Sequence, residues 1–233
     1  MDTEKKNQGV ELVSRRRFFG SSAVAAAGAF ATGSALAQTV GSICKLTPAQ
    51  TSGPFYPVKD QPDEDNDLTL VRGVTQKAQG KLIYILGQLQ DQECKPVQGA
   101  LVEIWQACAS GKYNHPNDDN PAPLDRAFQY WGKSISDDQG RYLFKTILPG
   151  AYPADPTWTR PPHIHFKLSR LGYHELITQM YFAGNSLNST DKILLSLPQA
   201  QRQSVIVPLE LPQAPLDPNS RVCRFNLTLR KVM

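Results

Sequence analysis

No stretch of this sequence carries a basic stripe, a heptad pattern or an internal repeat, and almost no window has the apolar periodicity of an amphipathic helix. A coiled coil, a repeat array and a helical bundle are therefore excluded as architectures. The formal net charge is only +4, which gives nucleic-acid binding no electrostatic basis. Cysteine is sparse as well: Cys44, Cys94, Cys108 and Cys223 show no CxxC spacing, so a zinc ribbon is ruled out. Histidine is scarcer than its chemistry would suggest, with four in 233 residues. Half of these lie two positions apart.

What is present begins at the N-terminus. Ser14-Arg15-Arg16-Arg17-Phe18-Phe19-Gly20 reads as a twin-arginine export signal, followed by an Ala/Gly-rich run from Ser21 to Leu36. Ala35-Leu36-Ala37 fits a small-x-small cleavage pattern, so residues 1–37 are expected to be a signal peptide and Gln38 the mature N-terminus. The competing reading, a transmembrane anchor, is disfavoured because the run is short and its alanines and glycines supply little hydrophobic free energy. No stable membrane anchor is expected, and the location is periplasmic or secreted. The first 37 residues hold five Lys/Arg and three Asp/Glu, which leaves 20 against 18 and a charge of +2 on the mature chain. In an oxidising compartment some of the cysteines can pair, although sequence does not give the pairing, and buried reduced thiols are the alternative.

Residues 38 to about 75 are rich in Pro, Gly, Asp and Gln and read as an ordered arm with loops. From Lys81 to Leu89 the pattern alternates, with Ile83, Ile85 and Gly87 on one face and Leu82, Tyr84 and Leu86 on the other. Further strands are expected at Ala100–Ala107, at Arg141–Ile147 after the Asp137-Asp138-Gln139-Gly140 turn, around Phe166, and at Leu176–Phe182, Val205–Val207 and Phe225–Leu229. One short helix is expected around Ser189–Leu195. Short strands divided by turn signals predict an all-β fold: a single β-sandwich domain over 38–233 with an N-terminal arm and long loops at 111–133 and 150–162. Loops of that length in a compact domain carry function or lack order, and their aromatic content favours function.

His163-Ile164-His165 follows Arg160-Pro161-Pro162, whose prolines disfavour helix. In a strand, residues i and i+2 share a face, so both imidazoles are presented to one point, as a metal site requires. Taken alone, the pair suits zinc or copper as well as iron.

Four segments resemble the intradiol ring-cleavage dioxygenases. These are Val102-Glu103-Ile104-Trp105-Gln106-Ala107 running into Gly111-Lys112-Tyr113-Asn114-His115, then Leu148-Pro149-Gly150-Ala151-Tyr152-Pro153, Arg160 to Phe166, and Leu176 to Phe182. Thr47-Pro48 through Gly53-Pro54-Phe55-Tyr56 is similar to that family's N-terminal region. Carried over to these positions, the resemblance implies a non-haem Fe(III) held by Tyr113, Tyr152, His163 and His165, with Tyr152 and His163 axial and Tyr113 and His165 equatorial. Phenolates are hard anionic donors that favour the ferric state. Arg160 matches an active-site arginine that stabilises negative charge on the substrate ring, and Gln179 a pocket glutamine that holds substrate or oxygen. Trp105 is expected to pack beside the pocket, while His115 and His174 receive no ligand role. The implied reaction cleaves a catechol-type ring between its hydroxylated carbons with O2, giving a cis,cis-muconate, and Tyr152 takes up a proton from the substrate. The family also implies a homo-oligomer or association with a homologous subunit. Cys108, Pro162 and Gln129-Tyr130-Trp131 depart from the family pattern near the pocket and bear on which catechol is used. A secreted β-sandwich that binds aromatics without catalysis is the reading from a different class.

Overall fold

A computed structural model describes residues 43–59, 61 and 63–233; the export signal and its cleavage site lie outside the described residues. Eleven strands are found there. They are β1 (Leu82–Asp91), β2 (Leu101–Trp105), β3 (Trp131–Ile135), β4 (Arg141–Ile147), β5 (Tyr152–Asp155), β6 (Trp158–Arg160), β7 (His163–Ser169), β8 (Leu176–Phe182), β9 (Ile206–Val207), β10 (Arg221–Arg224) and β11 (Leu227–Leu229). Two short helices, α1 (Lys192–Ser196) and α2 (Gln199–Arg202), lie between β8 and β9. The expected all-β class is what the chain adopts.

Strand β1 organises one sheet, pairing antiparallel with β4 and, on its other edge, parallel with β10 and then β11. The second sheet runs β3-β2-β7-β8-β9, antiparallel except for the last pair. Alternation sends Ile83, Ile85 and Leu89 from one sheet, and Val102, Ile104, Ile164, Phe166 and Leu168 from the other, into a common core. Phe166 lies 6.3 Å from Tyr142 and 5.0 Å from Phe225, so ring contacts cross the sandwich. Each fully buried side chain of this size contributes roughly 1.5–3 kcal/mol.

Sequence patterning placed most strands to within two residues and missed four. The two long loops are not uniformly irregular: the first runs into β3, and the second contains the β5–β6 hairpin. Strand β10 was also not anticipated. The expected helix is split into a 3-10 turn over Ser186–Ser189 and α1. Cys44 and Cys94 form a disulfide, whereas Cys108 and Cys223 are buried free thiols, so both readings of the cysteines hold in part.

The inward residues of β7 imply an outward set, and here the outward set is not solvent-exposed. His163 and His165 lie on the outer face of the second sheet, which is covered by the N-terminal arm. Gln50 N–H donates to Ile177 O at 2.8 Å, and Gln50 Oε1 accepts from Gln179 N–H, so the arm satisfies the open edge of β8 much as another strand would. Among the described residues no helix is long and apolar enough to cross a membrane.

Candidate metal centre

Strand register brings the outward side chains into rows. His165 is opposite Trp105 on β2 and Gln179 on β8, and His163 is opposite Tyr181. The Trp105 indole stacks on the His165 ring with centroids 4.7 Å apart and planes 8° from parallel, which holds that ring in one orientation. The two imidazole centroids are 4.9 Å apart. A side-chain period of two thus delivers both rings to one place.

The phenols arrive from loops, and two glycines make that approach possible. Gly111 has φ +83°, and a Cβ there would be 2.2 Å from Ala151 O. At Gly150 a Cβ would be 2.5 Å from Gly111 N. Both glycine N–H groups donate to Cys108 O at 3.0 Å, which clamps the two loops back to back. Past this clamp, Tyr113 N–H donates to Asp118 Oδ2 at 2.6 Å, and Lys112 Nζ donates to the carbonyls of Asp118 and Asn120. Tyr113 and Tyr152 consequently meet edge to face with centroids 5.5 Å apart. Tyr113 Oη is 3.5 Å from His163 Nε2, and the Tyr152 ring is 5.7 Å from that of His163. Phe55 of the arm closes the cluster, 4.6 Å from Tyr113 and 5.9 Å from Tyr152.

Burial sets the protonation states. His163 and His165 are pressed well below the usual imidazole range by desolvation, and the Arg160 charge acts on both in the same direction. Both rings are therefore neutral. His163 Nδ1 is 2.7 Å from Pro161 O; since a carbonyl only accepts, Nδ1 carries the proton and the Nε2 lone pair points to Tyr113. His165 Nδ1 is buried without a hydrogen-bond partner. Desolvation pushes the Tyr113 phenol well above its ordinary range, and the nearby Tyr152 adds to this. Desolvation also raises Tyr152, opposed by the charge and hydrogen bond of Arg160.

Such a cluster fits a hard, highly charged cation. Two buried phenols ionise at neutral pH only if a metal stabilises the phenolates, and neutral imidazoles with free lone pairs are ready ligands. Among the described residues no group of three or more His, Cys, Asp or Glu gathers as a metal site, and the donors this cluster offers are two imidazoles and two phenols.

Beside the cluster, Arg160 Nη2 donates to Gln179 Oε1 at 2.8 Å and to Tyr181 Oη at 3.3 Å. Gln179 Nε2 donates to Thr51 O at 2.9 Å, tying this residue to the arm. All six residues singled out from the sequence, Tyr113, Tyr152, Arg160, His163, His165 and Gln179, are at most 6% exposed and converge on one region. His115 instead orders its own loop, accepting from Asn117 N–H through Nδ1, and His174 lies in the turn before β8. A cleft of about 770 Å³ opens beside Tyr113, walled by Pro57, Lys112, His115, Phe128 and Tyr130. Sequence reading gave no role to Gln50, Tyr181 or Asp191, whose importance comes from contacts between residues far apart in the chain.

A family model described as Dioxygenase matches residues 51–231. The protocatechuate 3,4-dioxygenase beta chain of Burkholderia cepacia is 42% identical over 156 residues, covering 66% of this chain and 66% of that protein. Catechol 1,2-dioxygenase of Candida albicans is 34% identical over 157 residues, covering 60% of this chain and 48% of that protein. The chain thus spans about half to two thirds of the length of these curated relatives. Among solved structures, the dioxygenase domain of a dioxygenase carbohydrate-binding protein fusion from Streptomyces sp. SirexAA-E superposes with a TM-score of 0.60 at 26% identity, covering 81% of this chain and all of that one. Catechol 1,2-dioxygenase from Pseudomonas arvilla C-1 superposes with a TM-score of 0.62 at 25% identity, covering 80% of this chain and 63% of that one.

Proposed function

We propose that this chain, which belongs to the intradiol ring-cleavage family of dioxygenases, cleaves a catechol-type ring between its two hydroxylated carbons with O2 to give a cis,cis-muconate. The observation that carries this reading is the convergence of Tyr113, Tyr152, His163 and His165 on the outer face of one sheet, beside the Arg160–Gln179 pair. Ferric iron bound by those four residues would supply Lewis acidity that withdraws electron density from a diol and opens its ring to O2.

The surrounding residues supply the rest. Tyr152, whose phenol the Arg160 charge favours in its ionised form against the effect of burial, takes up one of the two protons a catechol releases. The Arg160 guanidinium stabilises negative charge developing on the substrate ring in a site with little water. Phe55 and the arm backbone at Gly53, which lies against His165, exclude solvent. Trp105 keeps His165 from rotating.

The test is the visible spectrum of the iron-loaded protein before and after anaerobic addition of protocatechuate, catechol or hydroxyquinol. A broad tyrosinate-to-iron band that moves to longer wavelength with one of them supports the reading and ranks the substrates. A colourless protein holding zinc or copper overturns it. Tyr113→Phe separates the two cases, since a histidine-only zinc or copper site keeps its metal in that variant.

Export by the twin-arginine route is part of the same proposal. It is supported by the Arg15-Arg16-Arg17 motif and by a disulfide that needs an oxidising compartment. A purified protein that begins at Gln38 is the expected result, and one retaining Met1 in the cytoplasm overturns it. Assembly with further copies or a homologous subunit is proposed from the family alone; sedimentation of the purified protein tests it.

A further inference from the structure

Arg160 is held from two sides. On one side its Nη2 reaches Gln179 and Tyr181. The remaining anchor is Asp191, 31 residues away in sequence: Arg160 Nε donates to Asp191 Oδ2 at 2.7 Å, with both side chains almost wholly buried. The other carboxylate oxygen, Asp191 Oδ1, accepts from Leu194 N–H at 2.7 Å and caps α1. One carboxylate therefore fixes a guanidinium and a helix start at once.

We infer that Asp191 is the positioning residue for Arg160, fixing its guanidinium against Gln179 and Tyr181 beside the ligand cluster, where charge develops on the substrate. The inference rests on the functional reading above and deepens it. An arginine side chain has four rotatable bonds, and a charge-assisted contact through Nε leaves the two Nη groups to point inward together. Without the carboxylate, a buried guanidinium would keep contacts to neutral oxygens only and would move toward solvent or another anion. Asp191 makes its hydrogen bonds to Arg160 and Leu194 and none to Tyr113, Tyr152, His163 or His165, so its loss should spare metal binding.

Asp191→Asn removes the charge and keeps an oxygen able to cap Leu194 N–H, which favours folding. Iron-loaded protein of this variant is expected to keep the wild-type iron content and visible band. Its kcat is expected to fall about 10–100-fold, the scale of a misplaced catalytic group, with KM changing less. The double variant Arg160→Ala/Asp191→Asn should be no slower than Arg160→Ala alone, because both act through one group. Asp191→Glu restores the charge and should recover part of the rate. A wild-type kcat in Asp191→Asn, or losses that multiply in the double variant, would overturn the inference. A crystal structure of Asp191→Asn gives a readout independent of turnover: Arg160 should have left Gln179 Oε1, and a guanidinium still in place sinks the idea. If the wild-type protein cleaves no ring, the functional reading fails, and the crystal structure still decides whether Asp191 holds Arg160.

Discussion

A buried imidazole that lacks a partner at one nitrogen needs something else to keep it in place, and for His165 that is Trp105. The indole lies flat on one face of the imidazole, and Tyr56 packs edge-on against the indole at 5.0 Å. Trp105→Ala is expected to destabilise the protein by about 3–5 kcal/mol and to weaken metal binding, read from urea unfolding and metal titration. Trp105→Phe keeps a ring over His165 and should cost less on both counts. The two phenols should part company under substitution. Tyr152, on whose phenol the Arg160 charge acts, should become Phe with iron largely retained and turnover strongly reduced. Unchanged turnover at equal iron loading would refute its proton-accepting role. Of these residues, only the histidines were legible from spacing, because a period of two on a strand is a geometric certainty. Nothing local marks Tyr113 or Tyr152, which emerged only through the order of several motifs. Asp191 was illegible, since a helix cap looks the same whether or not its second oxygen binds an arginine.

Elements tell a similar story about pairing. Strands β1 and β4 alternate clearly, and these two and the almost wholly buried β8 were found with nearly correct ends. Strand β3 begins with a tryptophan but continues Gly-Lys-Ser, and it is extended because β2 offers it an edge along its whole length. Strands β5 and β6 are four and three residues long, too short to show a period. The clamp between the loops is the most sensitive junction. Gly111→Ala must bear a positive φ, about 1–3 kcal/mol, and a collision with Ala151 O, so it is expected to lose stability and displace Tyr113 from Tyr152. Lower Tm together with lost iron colour would register both effects. At the far end of β1, Asp91 accepts from the N–H groups of Glu93 and Lys95 and pairs with Lys231 Nζ at 2.8 Å. Burial alone would raise its pKa, but the Lys231 contact and the backbone donors outweigh it and bring the carboxyl below 3.8. A folded pKa below the unfolded one gives stability that is complete above about pH 4 and lost as pH falls through the lowered value. Asp91→Asn should therefore be less stable than the parent at pH 7, and the gap in denaturant midpoint should close toward pH 2.

Taken whole, the described domain is a sandwich whose candidate site lies on the outer face of one sheet. The core between the sheets could pack without the arm, but the site could not be closed without it. Thr47 exchanges hydrogen bonds with Thr228, Thr178 donates to Pro48 O, and Gln50 reaches Tyr181, all downstream of the disulfide that ties Cys44 to Cys94. In the chain-entropy account, a crosslink across a separation of 50 residues stabilises by about 4 kcal/mol. Cys44→Ser, or mild reduction, is expected to lower Tm and speed iron loss while leaving strand content by circular dichroism unchanged. A reduced protein that holds iron as well as the oxidised one would show that the arm needs no tether.

The arm also imposes an order of events. Residues 47–50 are made early in translation, yet their partners at 177–181 and 228 are made nearly last. Until the arm is seated on those strands, the outer face of the second sheet, which carries His163 and His165, stands open to the surrounding medium. Closure shuts that entrance. Seating the arm is therefore a late step of folding, because its partners on β8 and β11 must be in place before it can dock.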